Sequence, residues 1–146
     1  SLIAFWKDKK WDNSESSKIG STCFGFANYI FRELNGVIAG SSYNSGRYQL
    51  INRGYGGKEV YSTTNATYNN MHSFLLTLNP GAFIQGNKAS GNKQHSMIFC
   101  SYNTNNKTIK VFDANWATNP DNVVRVHNFT LSKFIERFPR VSFYQK

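Results

Sequence analysis

Two cysteines, three histidines and eight acidic side chains carry most of the chemistry available to this chain. Cys23 stands in "GSTCFGFANYIFRELNG", where a polar stretch gives way to apolar residues at helical spacing. A thiol at such a place meets unpaired backbone N–H groups and the positive end of a helix dipole, and both favour the thiolate. The same N–H groups suit the developing oxyanion of an acyl-transfer intermediate. A cysteine here also serves as plain packing, and the segment alone is compatible with either role. A nucleophilic thiol needs a base that holds the thiolate and later protonates the leaving group. His95 opens the apolar run "HSMIFC" directly after the polar "GNKASGNKQ", at a strand start that is exposed enough for chemistry and rigid enough for aim. His72 falls within a helical pattern and reads as a surface or half-buried residue. His127, in "VVRVHNF", alternates against Val126 and reads as a solvent-side or packing histidine.

The base in turn needs an orienting carboxylate or amide on its second ring nitrogen. "FDANW" supplies two candidates, Asp113 and Asn115, which are two apart and share one face of a strand. If the turn is centred on Asn105-Asn106, position 95 pairs roughly with positions 115–116, and either side chain reaches His95. "DAN" taken alone is also a common turn signal. Cys100 sits in an apolar strand pattern and reads as a small core hydrophobe, so the two cysteines are expected to be free thiols. HExxH, CxxC, phosphate-loop and nucleophile-elbow patterns are all missing from the sequence, and the glutamates Glu15, Glu33, Glu59 and Glu136 show no catalytic pairing. No metal and no cofactor is expected.

Around these residues the hydrophobic period changes once. Phe24, Ala27, Ile30, Phe31 and Leu34 form one helical stripe, with Ser21 or Thr22 as cap and Asn35-Gly36 as stop. A second helix is predicted in "TNATYNNMHSFLLTLNPG", with Tyr68, Met71, Phe74, Leu75 and Leu78 as its stripe. The period then falls to two: "GAFIQG", "HSMIFCSY", "IKVFDANW" and "NVVRVHNF" read as strands, the middle pair as an antiparallel hairpin. "TLSKFIERF" is a short helix capped by Thr130, and "RVSFYQK" a closing strand. Trp6 and Trp11 are expected to dock an otherwise polar N-terminal segment, and "DNSESSKIGST" reads as a loop. Residues 36–66 read as long irregular chain, with a short helix possible in "GRYQLINRGYGG". Helices early and strands late predict an α+β fold, an N-terminal helix packed on a C-terminal antiparallel sheet.

A length of 146 residues, 40% of them hydrophobic, suits one domain spanning 1–146. No apolar run is long enough to span a bilayer. The net charge of +9 favours anionic partners, but the basic residues are scattered rather than arranged in a stripe, so a nucleic-acid groove is not expected. The Ser1 start, with no basic-then-apolar leader, is what a piece cut from a longer protein would show.

The ordered set "STCFGFANYIF", "LNPGAFIQG", "QHSMIFCSY" and "FDANW" resembles papain-like cysteine hydrolases of the bacterial cell-wall type. The match is to the CHAP family of cysteine, histidine-dependent amidohydrolases and peptidases, with the NlpC-type endopeptidases as relatives. The resemblance covers about residues 20–117. It implies a papain-like fold in which Cys23 is the nucleophile and its backbone N–H an oxyanion donor, His95 the base and then acid, and Asp113 or Asn115 the orienter, with Trp116 beside them at the substrate. The glutamine that papain-type enzymes place about six residues before the cysteine has no match, since Ser17 stands there. The implied substrate is peptidoglycan, cut as an amidase or endopeptidase by a protein working outside the producing cell or delivered into another as a toxin. An inhibitor or immunity protein is then a natural partner. Two other readings stay open: a protease, deamidase or transglutaminase-like domain acting on a protein, and a basic binding domain in which Cys23 and His95 are bystanders.

Overall fold

The computed structural model describes residues 1–11, 22–40, 42–43, 50–51, 55–88, 94–114 and 122–146. A short helix α1 (Leu2–Trp6) opens the chain, its first turn capped by Ser1, whose Oγ accepts from the Ala4 N–H at 3.2 Å. Trp6 and Trp11 act as the expected anchors: their rings meet edge-on at 5.6 Å, and both pack on Phe26 and Tyr29. The segment is also tied to the end of the sheet, through Asp8 N–H to Val124 O and Val124 N–H to Lys9 O.

The principal helix, α2, runs Thr22–Asn35. It stops where expected: Gly36 takes φ +81°, a left-handed conformation that suits a residue without Cβ, and its N–H donates to Arg32 O. Phe24, Ala27, Ile30 and Phe31 are buried as the stripe predicts, but Leu34 is 53% exposed. Phe26, outside the stripe, is fully buried instead. The buried face is wider than one row because aromatic rings from α1, Trp11 and Phe112 close on it from the side. Thr22 is the first helical residue, and the capping expectation for Ser21 falls outside the described residues.

The chain then forms a two-stranded ribbon, β1 (Ser42–Tyr43) with β2 (Leu50–Ile51), and a strand β3 (Lys58–Thr63). Among the described residues, β3 corrects the expectation of irregular chain across 36–66, and Leu50–Ile51 is strand rather than helix; the rest of residues 46–54 in "GRYQLINRGYGG" lies outside the described residues. β3 escapes a period-two reading because it lies at the edge of the sheet, with its first three residues exposed and its last three half-buried. Helix α3 (Tyr68–Leu75) is shorter than its sequence stripe, yet Leu78 beyond its end is still buried. β4 (Phe83–Asn87), β5 (Gln94–Asn103), β6 (Thr108–Ala114) and β7 (Val124–Thr130) follow. Helix α4 (Leu131–Arg137) is capped by Thr130, whose Oγ1 accepts from the Lys133 N–H, and β8 (Arg140–Gln145) ends the fold.

Six strands form one antiparallel sheet in the order β3-β8-β4-β5-β6-β7. With four helices among the described residues, the architecture is α+β. Two apolar clusters hold the layers together. One joins α2 to the sheet through Phe24, Phe26, Ala27, Ile30 and Phe31 against Phe83, Ile98 and Phe112. The other joins α3 and α4 to it through Met71, Leu75, Leu131 and Phe134 against Ile84, Met97, Phe99 and Val111. The fully buried phenylalanines carry much of this, at about 1.5–3 kcal/mol of transfer free energy each. None of the described helices is long and apolar enough to cross a membrane.

Candidate active site

Cys23 lies in the first turn of α2, as its sequence context predicts. The helix is pinned just after it, Phe24 meeting Phe83 of β4 edge-on at 6.0 Å and Phe26 meeting Phe112 of β6 at 5.2 Å. Its neighbour segment is fixed by the buried Asn28, whose amide donates to Gly40 O and accepts from the Ala39 N–H. The thiol is half-buried and is not part of a disulfide.

His95 is the second residue of β5. It is 2% exposed, so the expected open strand start is in fact enclosed. The ring stacks on Phe138 at 6.5 Å and 14°, while Gly86, which pairs with His95 across the ladder, leaves room for that phenyl ring. A Cβ at Gly86 would come within 2.6 Å of Phe138 Cδ1. A polar brace flanks the strand start: Ser96 Oγ donates to Gln85 Oε1 at 2.5 Å, and Gln85 Nε2 donates to Gln94 Oε1 at 3.1 Å. His95 is thereby held on both sides along β5.

Two groups meet the imidazole. Asp113 Oδ2 lies 2.5 Å from Nε2, and the Cys23 side chain hydrogen-bonds the ring as well. Burial opposes a charged imidazole most strongly, but negative charge on Cys23, the two side-chain hydrogen bonds and the charge of Asp113 outweigh it, so the His95 pKa rises from 6.5 to about 9. With a pKa of about 9, His95 is protonated at neutral pH and faces the Asp113 carboxylate.

Asp113 is fully buried, and both of its oxygens are engaged. Burial would raise its pKa, yet hydrogen bonds from His127 and His95 and their charges more than offset this and hold the carboxyl below its ordinary range. Between the two orienter candidates the described geometry places Asp113 on His95, while Asn115 and Trp116 lie outside the described residues, as does Ser17. The described ladder pairs Ile98 with Phe112 and Phe99 with Val111, and the expected pairing of position 95 with 115–116 lies outside the described residues. A bulge between Phe99 and Ser101 shifts the register at Cys100.

His127, read from alternation as a solvent-side or packing histidine, meets the carboxylate instead. Its Nε2 lies 2.9 Å from Asp113 Oδ1, and only 17% of the side chain is exposed. The signal was in the register: Asp113 pairs with Arg125 and Val111 with His127, which puts His127 one diagonal step from the carboxylate. Alternation placed it on a face but could not say which residues shared it. The third histidine, His72, is half-buried in α3 and bonds Tyr102 Oη through Nδ1 at 2.6 Å, away from this row. Cys100 is half-buried against the α2 cluster, and burial pushes its thiol up to about 11, so it is protonated at neutral pH. Among the described residues no group of three or more histidine, cysteine or acidic side chains is arranged to hold a metal ion.

The row Cys23–His95–Asp113–His127 can stabilise a thiolate, deliver a proton from His95 and keep the imidazole in one orientation. No known family and no curated protein matches the chain. Among solved structures it is similar to the crystal structure of Ly7917, with a TM-score of 0.50 and 12% identity, over 83% of this chain and 52% of that one. The chain therefore spans about half the length of Ly7917, and at this identity the likeness concerns the fold alone.

Proposed function

We propose that this chain is a cysteine-dependent amide hydrolase of papain-like arrangement, related to the CHAP and NlpC-type enzymes, with peptidoglycan as its substrate. The observation that supports this is the hydrogen-bonded sequence of Cys23, His95 and Asp113, three residue types that complete a nucleophile, a base and an orienter. The thiolate attacks the amide carbon, a C–S bond forms, and the carbonyl electrons move to an oxyanion at the Cys23 N–H. Imidazolium His95 passes a proton to the amide nitrogen, the C–N bond breaks, and the amine leaves a thioester behind. Neutral His95 then takes a proton from water as the oxygen attacks the thioester. A carboxylic acid departs, and the thiolate–imidazolium pair returns. Asp113 stays ionised throughout and holds the ring through Nε2.

The net charge of +9 suits a polyanionic wall, where electrostatic attraction raises the local enzyme concentration. On this reading the protein works outside the cell that makes it. Purified sacculi incubated with the protein, with Cys23→Ala and with His95→Ala test it. Soluble muropeptides carrying a new amine and a new carboxyl end are expected from the unaltered protein only. Release that persists in Cys23→Ala removes Cys23 as the nucleophile, and no release from any form removes peptidoglycan as the substrate.

A further inference from the structure

The carboxylate of Asp113 has more partners than an orienter needs. One oxygen serves His95, and the other meets His127 Nε2 at 2.9 Å. The three residues sit on three neighbouring strands, β5, β6 and β7, so backbone ladders rather than loops set their spacing. A carboxylate turns easily about its last torsion, which is broad and two-fold. Held at one oxygen only, it can swing out of line. Held at both, with donors on two sides, its plane is fixed. The β6–β7 ladder already pairs seven residues, Thr108 with Thr130 through Ala114 with Val124, so β7 does not need the His127 bond to stay in place.

We infer that His127 is a positioning residue of the same site: by holding Asp113 Oδ1 it keeps Oδ2 aimed at His95 Nε2 and so sets the ring that faces Cys23. As a role in catalysis this rests on the amide-hydrolase reading, but its geometric content does not. Among the described residues the other charged or titratable groups around the carboxylate are His95 and Cys23 along the row, Arg125, its cross-strand partner, and Cys100, whose thiol feels the Asp113 charge. Phe129, which stacks on the His127 ring at 6.0 Å, limits that ring's rotation.

Two substitutions separate positioning from mere packing. In His127→Gln the amide nitrogen reaches about where Nε2 stands; in His127→Asn it falls short by one carbon. The full chain carrying each is compared with the unaltered protein by NMR titration of the His95 ring and by the alkylation rate of Cys23 at pH 7. Matching backbone spectra establish that each variant is folded. His127→Asn is expected to lower the His95 midpoint by about one pH unit, a tenfold loss of proton affinity, and to slow alkylation by a similar factor. His127→Gln is expected to restore both. Where hydrolysis is measurable, kcat falls in His127→Asn with KM unchanged. A His95 midpoint that is the same in all three proteins overturns the inference, as does an equal drop in both variants. Because the titration needs no substrate, it decides the matter even if sacculi are left intact and the hydrolase reading fails.

Discussion

Replacing Asp113 by asparagine keeps the volume of the side chain and removes its charge. His95 is where the effect should appear. Its pKa stands at about 9 in the fold against 6.5 as an ordinary histidine. At about 1.4 kcal/mol per tenfold change in proton affinity, that rise corresponds to about 3 kcal/mol of extra stability for the folded, protonated state. A group whose pKa is raised on folding gives this stability in full below its unfolded value, here 6.5, and loses it as pH rises through about 9. The unaltered protein should therefore lose about 3 kcal/mol from this group between pH 6 and pH 10. In Asp113→Asn the charge that opposes desolvation is gone and only a neutral amide oxygen is left to accept from His95, while burial and Cys23 remain. The His95 midpoint should fall toward its ordinary value, and the loss of stability over the same pH range should shrink with it. At pH 6 the variant should lose only part of that ~3 kcal/mol, because the charge of Cys23, the largest of the effects that raise the His95 pKa, is still in place. Urea unfolding at pH 6, 8 and 10 measures both quantities. Parallel pH dependence in the two proteins would refute the argument, since the carboxylate would then not be what holds the proton on His95.

Further outcomes follow from the same geometry. The pH profile of hydrolysis should fall on its alkaline side through about 9, as His95 gives up its proton. Gly86→Ala drives a methyl group into Phe138, the ring stacked on His95, and should cost about 1–3 kcal/mol in thermal unfolding while lowering activity. Phe26→Ala removes a fully buried ring from between α1, α2 and β6 and should cost about 3–5 kcal/mol, read by urea unfolding. Cys100→Ser should leave hydrolysis unchanged, because its thiol is protonated at neutral pH and lies outside the row.

Much of the core was legible in the sequence because it repeats. The stripe from Phe24 to Phe31, the apolar run "HSMIFC" and the strand pattern of "IKVFD" specified α2, β5 and β6, the elements that carry Cys23, His95 and Asp113. Edge strand β3 was not legible, since a half-exposed edge imposes no strict alternation on "KEVYST". Leu34 and Phe26 were misplaced for a related reason: a helical stripe says which residues share a face, not how far neighbouring rings wrap around it. At the site, His127 could be assigned to a strand but not to a partner. Its role depends on the β6–β7 register, a relation between two segments that neither encodes alone. The burial of His95 was equally invisible, because Phe138 reaches it from forty-three positions further along the chain.

The central claim is that Cys23 is held as a reactive thiolate by His95 and Asp113. The rate of alkylation of each cysteine as a function of pH, read by peptide mass spectrometry, tests it most directly. Cys23 should react far faster than Cys100 at neutral pH, and its reactivity should persist well below the usual thiol range of about 8.5. It should also drop sharply in His95→Ala. Slow and equal labelling of Cys23 and Cys100, rising only above about pH 8.5, would contradict the account.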